Sequence, residues 1–121
     1  MHYHLITGAN RGIGLALTQQ LAAVASGPII ATCRQPNHAH ELQQLARDHG
    51  HITIKPLDIT NPDQIAAFAS QFAPGSFDCV INNAGVYPRN DALFATDTTA
   101  HHLAWQVNAL GPLCLMQTMH G

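Results

Sequence analysis

Thr7-Gly8-Ala9-Asn10-Arg11-Gly12-Ile13-Gly14 stands directly behind the short, mostly apolar run Tyr3-His4-Leu5-Ile6. A strand that enters a glycine-rich turn and leaves it as a helix is suited to cradling a pyrophosphate. Gly8 permits the tight turn off the strand. Gly12 lets the backbone approach the phosphates with no side chain in the way, and Gly14 lets the helix pack closely on its sheet. The positive end of that helix then points at the anion.

Outward from this stretch, strand and helix alternate. Strands are predicted over residues 3–7, 29–33, 52–57 and 78–82. Helices are predicted over 12–25, 38–48 and 62–72, and from Thr98 or Thr99 through Trp105, past Gly111-Pro112, toward Met119. Ile13, Leu17, Leu21 and Val24 recur at helical spacing. Ser26-Gly27-Pro28 ends that helix, since glycine suits a C-cap and proline cannot continue it. Ile29-Ile30-Ala31-Thr32-Cys33 is continuously apolar, as in a parallel strand covered on both faces. Asn61 is a natural cap and Pro62 a natural first residue for the third helix, with Ile65, Ala69 and Phe72 facing inward.

Strands alternating with helices require parallel crossovers, which are nearly always right-handed. The expected fold class is therefore α/β, a doubly wound parallel sheet with strand order 3-2-1-4. A ligand belongs outside the carboxyl ends of strands one and four, where the order reverses. The turns at Gly8, Arg34, Asp58 and Asn83 all fall on that edge.

Composition narrows the function classes. The chain has 121 residues, 46% hydrophobic and 10% charged, which describes a compact globule and not a disordered chain. A formal charge of −2 offers no basic footprint for nucleic acid or an anionic membrane. Nine histidines would move that charge from −2 to +7 if all were protonated, so solubility should respond to pH near neutrality. No apolar stretch approaches the roughly 20 residues of a membrane span, and the N-terminus reads as a strand and not a secretion signal. Cys33, Cys79 and Cys114 are odd in number and set in apolar surroundings, the pattern of reduced thiols in a cytoplasmic protein. The histidine pairs, such as His2/His4 and His49/His51, lack structural-zinc spacing. They read as solvated or capping groups, with adventitious metal binding as the alternative, and no metal site is assigned.

Thr7-Gly8-x-x-x-Gly12-Ile13-Gly14, Asp58-Ile59-Thr60, Asn82-Asn83-Ala84-Gly85 and Val107-Asn108, in this order and spacing, resemble the N-terminal half of the short-chain dehydrogenase/reductase family. The resemblance spans residues 3 to about 121 and implies a Rossmann-type nucleotide-binding domain. It implies that Gly8, Asn10, Arg11, Gly12, Ile13 and Gly14 hold the cofactor phosphates and adenosine ribose. Asp58 matches the carboxylate that accepts from the adenine amino group, with Ile59 adding a backbone contact. Asn83, Ala84 and Gly85 match the turn that passes the ribose. Asn108 matches the helix asparagine of an Asn-Ser-Tyr-Lys catalytic set.

Read as residues alone, several of these positions carry two meanings. Asp58 is acceptor-only and suits the adenine amino donor, yet it also suits a turn preceding Thr60. Asn82 and Asn83 could contact a ligand or bond back to the main chain. Asn108 in mid-helix is unfavourable by propensity, which points to a polar task, on a ligand or on nearby backbone.

The end of strand two bears on cofactor choice. An acidic residue there accepts from the 2′-hydroxyl of NAD, whereas arginine accommodates the 2′-phosphate of NADP. Here the residues are Cys33-Arg34-Gln35-Pro36, with no acid before Glu41. Arg11 adds a second guanidinium, and two such groups suit a phosphate through forked, charge-assisted bonds. The expected cofactor is NADP(H) in preference to NAD(H).

The family's hydride chemistry uses a serine and a tyrosine followed four residues later by lysine. Tyr3 and Tyr87 are the chain's two tyrosines, neither has lysine at that spacing, and the single lysine is Lys55. Residues 1–121 are thus expected to form one incomplete nucleotide-binding domain lacking part of the active site. The alternative is a non-catalytic nucleotide-binding module or partner subunit. Strand four is expected at an exposed sheet edge, and a last helix with Trp105, Leu110, Leu113, Leu115 and Met116 is expected to lack cover on both faces. Either feature invites a homo-oligomer. Val86-Tyr87-Pro88-Arg89-Asn90 is too short a stretch to define a substrate.

Overall fold

The computed structural model describes residues 3–24, 27–85, 102–103 and 105–120. Its four strands are β1 (Tyr3–Ile6), β2 (Ile29–Cys33), β3 (Ile52–Pro56) and β4 (Phe77–Ile81). They form one parallel sheet in the order β3-β2-β1-β4, as expected from the sequence. The helices are α1 (Gly12–Val24), α2 (His40–Asp48), α3 (Pro62–Ala69) and α4 (Gly111–His120). A 3₁₀ turn, Pro36–His38, precedes α2, and a π-helical turn, Gln106–Leu110, precedes α4.

Alternation along the strands divides the core into two layers. Ile6, Ile29 and Ala31 pack with Ala22 of α1 and Leu42 of α2 on one face. Leu5 and Ile30 pack with Ile65 and Phe68 of α3 and Leu115 of α4 on the other. All five residues of β2 are buried, Thr32 included, which explains its largely apolar character. β3 and β4 are the edges among the described strands, and Asp78 and Cys79 of β4 are exposed.

Three boundaries differ from the sequence reading, each for a local reason. The segment predicted as one helix over 38–48 splits: Pro36 opens a 3₁₀ turn, and α2 begins only at His40. Gln43 Nε2 donates to the Pro36 carbonyl at 2.6 Å and holds that turn apart from the helix. The third helix keeps its expected cap, Asn61 Oδ1 accepting from the Asp63 and Gln64 amides, but stops at Ala69. Phe72 lies beyond its end, edge-on to Tyr3 and Phe77 with ring centroids 5.1 and 4.8 Å away. Aromatic contact at the foot of β1 and β4 draws it out of the helix. In the last helix, Pro112 has no N–H, and its ring would crowd the carbonyl four residues back. The ladder widens in response, and the Gly111 amide donates to Gln106, five residues back.

The expectation that both faces of the last helix lack cover needs correction. Leu115 is fully buried against β1, β2 and α3, so the inward face is packed. Trp105, Leu110, Leu113 and Met116 remain exposed on the outward face. Residues 86–90, and the proposed helix starts at Thr98 or Thr99, lie outside the described residues, as do Ala25 and Ser26. Among the described residues no helix is long and apolar enough to cross a membrane.

Candidate nucleotide-binding site

The turns that follow β1, β2, β3 and β4 meet at one end of the sheet and enclose a cleft of about 460 Å³. Thr7, Gly8, Asn10, Arg11, Gly12 and Ile13 line it from the first turn. Thr32 to Gln35 line it from the end of β2, and Leu57 to Ile59 from the end of β3. Asn83, Ala84 and Gly85 close it after β4, with Val107 above.

Backbone geometry at the first turn requires glycine. Gly8 has φ +61°, and a Cβ there would lie 2.7 Å from the Ala84 Cα, so the turns after β1 and β4 approach backbone to backbone. Gly12 has φ +56° with open space beside it, which leaves the first amides of α1 accessible from the cleft. Gly14 lies buried beneath the turn, where close packing on the sheet was expected of it, and does not itself line the cleft. A Cβ there would collide with the Gly8 carbonyl and the Asn83 carboxamide. Its contribution is the close packing of helix on sheet.

Thr7 is the joint that the sequence reading passed over. Its hydroxyl, in a side chain 1% exposed, accepts from the Asn83 and Ala84 amides, both at 3.1 Å. Asn83 Nδ2 donates to the Gly8 carbonyl at 3.1 Å. The signal available in the sequence was a hydroxyl ending an otherwise apolar strand, where a buried polar atom demands partners.

At Asp58 the turn reading is the one observed. Its Oδ1 accepts from the Thr60 amide at 2.9 Å and the Thr60 hydroxyl at 2.6 Å, the turn role. Gln64 holds the Asp58 amide at 2.9 Å. Oδ2 accepts from no described residue, so one carboxylate oxygen remains available to the cleft.

Arg11 and Arg34 are exposed on the rim, and neither guanidinium forms an ion pair or hydrogen bond with a described residue. Burial pushes the Cys33 thiol up, keeping it protonated behind Arg34. Ile13 is 73% exposed on the first turn of α1, an apolar surface presented to the cleft. Asn108 lies in the π-helical turn outside the lining, although a Cβ on Gly85 would come within 3.1 Å of its Oδ1. The residues expected at the site therefore converge, Gly14 from below and Asn108 from the side. Among the described residues no cluster of three potential metal ligands exists.

This arrangement has known counterparts. Residues 3–120 match the family model described as short chain dehydrogenase, and the chain belongs to that family. An uncharacterized oxidoreductase of Schizosaccharomyces pombe is 29% identical over 97% of this chain and 47% of its own length. Carbonyl reductase 1 of Rattus norvegicus, named for NADPH, is 32% identical over 85% of this chain and 36% of its own. The NADPH-bound carbonyl reductase from chicken fatty liver superposes with a TM-score of 0.86 at 35% identity. That match covers 97% of this chain and 49% of the other. The chain thus spans between about a third and a half of the length of these three proteins.

Proposed function

We propose that the cleft binds NADP(H) through its adenosine and phosphate groups and serves oxidoreductase hydride transfer between a carbonyl and an alcohol. The observation that carries this reading is the pair of guanidiniums, Arg11 and Arg34, unpartnered among the described residues, with no carboxylate at the end of β2. A 2′-phosphate needs donors and positive charge there, whereas a 2′-hydroxyl needs an acceptor. The NADPH-bound neighbour and the NADPH-named relative support the same choice.

Gly12 fits the group, since the open space where a Cβ would stand lets phosphates approach the amides opening α1, and Gly8 lets the turns after β1 and β4 close up behind them. Asn10, Arg11 and Ile13 complete that turn. The free oxygen of Asp58 would accept from the adenine amino group, beside Ile59, and Asn83 to Gly85 would flank the ribose. When bound, the cofactor supplies the hydride. Asn108 alone matches the family's catalytic set, and the serine and Tyr-x-x-x-Lys residues are not among these 121. The three free thiols suit a cytoplasmic setting. Self-association through the edge of β4 or the outward face of α4 is part of the same reading.

Arg34→Asp tests the assignment. Losing one charge-assisted phosphate contact and gaining a repulsive carboxylate should weaken NADPH at least about tenfold to a hundredfold while strengthening NADH. Nucleotide fluorescence titration reads both affinities, and an unchanged NADPH-to-NADH ratio refutes the proposal.

A further inference from the structure

The turn that carries Asp58 is held at several points. Leu57 and Ile59, on either side of it, are buried and fasten the chain to the end of the sheet. Asp58 is half-buried between them and lines the cleft. Its carbonyl accepts from the Asn61 amide at 3.0 Å, and its Oδ1 accepts from the Thr60 amide and hydroxyl. Thr60 and Asn61 belong to the same turn, so these bonds move with it.

Gln64 binds Asp58 from outside the turn. Its Oε1 accepts from the Asp58 amide at 2.9 Å, and its backbone lies in the first turn of α3. That helical turn is fixed in its own right. The Gln64 amide donates to Asn61 Oδ1 at 3.2 Å, and the adjacent Ile65 is 1% exposed in the core. Of the hydrogen bonds that Asp58 makes among the described residues, this is the one that reaches a helix. Gln64 is exposed, and an exposed glutamine gives up rotamer freedom to hold one geometry. Here it folds back over the helix start and fixes the rotation of the Leu57–Asp58 peptide. That rotation sets the direction in which the Asp58 side chain leaves the backbone.

We infer that Gln64 is a positioning residue for nucleobase recognition: by holding the Asp58 amide, it keeps the second carboxylate oxygen where an exocyclic amino group can donate to it. The inference rests on the adenine-nucleotide reading of the cleft. Gln64 does not line the cleft and acts through Asp58 alone. Asp58 supplies the acceptor, Thr60 occupies its other oxygen, and α3 supplies the fixed point against which both are set.

The test compares AMP with purine riboside 5′-monophosphate, which has hydrogen in place of the amino group, on the intact protein by calorimetric titration. The wild type should bind AMP about tenfold more tightly, the worth of one hydrogen bond to a charged acceptor at a half-buried site. Gln64→Met keeps the side-chain length but removes the acceptor. It should cut the preference to about threefold and leave the deamino probe within about twofold. Gln64→Glu keeps an acceptor for the Asp58 amide and should keep the preference, since the effect of its charge on the shared phosphate cancels in the ratio. If the wild type binds neither probe, the nucleotide reading falls and this inference falls with it. If it binds both equally, the adenine contact of Asp58 falls, again taking the inference with it. If the wild type prefers AMP but Gln64→Met keeps the full preference, whether or not both probes weaken together, this inference alone is overturned. A Gln64→Glu variant that loses as much preference as Gln64→Met overturns it too.

Discussion

Thr7→Val removes one oxygen from the centre of the fold and replaces it with a methyl group of similar size. The hydroxyl accepts from two amides, those of Asn83 and Ala84. The Asn83 amide also donates to the Ile81 carbonyl at 3.1 Å and keeps that partner in the variant. The Ala84 amide has no second acceptor among the described residues and would be left orphaned. An unsatisfied donor costs about 1–3 kcal/mol, toward the lower end for a half-buried residue such as Ala84, and the valine leaves no cavity to add to this. The expected loss is thus about 1–3 kcal/mol, and not twice that, because only one of the two amides loses its last partner. Thr7→Ser is the control: it keeps the oxygen and removes one buried methyl, worth about 0.8 kcal/mol plus a small cavity term. Urea denaturation followed by circular dichroism measures both. Because Ala84 lines the cleft, Thr7→Val should also weaken AMP, while Thr7→Ser should not. A valine variant as stable as the wild type, or a serine variant less stable than the valine one, refutes the reasoning.

Other outcomes follow from single residues. Gly14→Ala places a Cβ against the Gly8 carbonyl and the Asn83 carboxamide, where the carbonyl is backbone and cannot yield; it should prevent native folding, read as loss of the cooperative denaturation transition. Gly12→Ala meets no atom within 4 Å but keeps φ +56°, so it should cost about 1 kcal/mol of stability and reduce nucleotide affinity further, since the methyl stands where phosphates approach. Asn61→Ala removes the cap that accepts from two amides of α3 and should cost about 1 kcal/mol in urea denaturation without changing nucleotide preference. Burial holds the Cys33 thiol above its ordinary range, so its contribution is intact at neutral pH and is lost as alkaline pH ionises the unfolded chain first. Cys33→Ala should flatten the fall in denaturation midpoint above about pH 8.5, the ordinary thiol range, and iodoacetamide should label exposed Cys79 before Cys33.

Most of the architecture was legible because its determinants are local. The apolar run of β2, the spacing of α1 and the Asn61-Pro62 start of α3 are each decided within a few residues, and the parallel order follows from their alternation. What was not legible depends on contacts across the sheet. Phe72 continues the helical period of α3, yet Tyr3 and Phe77, far away in sequence, draw it out of the helix. Leu115 looked as exposed as its neighbours until α4 was laid across β1 and α3. The π-helical turn could have been anticipated from Pro112 within a helical pattern, but its position also reflects Gly111, where a Cβ would press on the Ile59 carbonyl. At the site, Thr7 was quoted as the head of a motif but not seen as the tie between two turns.

In the polar residues of the cleft a structural bond and a ligand role are compatible. Asp58 spends one oxygen on Thr60 and keeps the other. Asn83 uses its amide nitrogen on the Gly8 carbonyl, and its carboxamide oxygen accepts from no described residue. In each case the turn bond fixes the rotamer, and a fixed rotamer is what makes the second atom useful, because little conformational entropy then remains to be lost on binding. Arg11 and Arg34 follow the opposite logic: their guanidiniums make no bond among the described residues and carry full charge, so they can follow a mobile phosphate at the rim. Anchored acceptors deep at the strand ends and unanchored cations outside them would divide the recognition of an adenine nucleotide between geometry and charge. The charged part should therefore weaken with added salt much more than the anchored part.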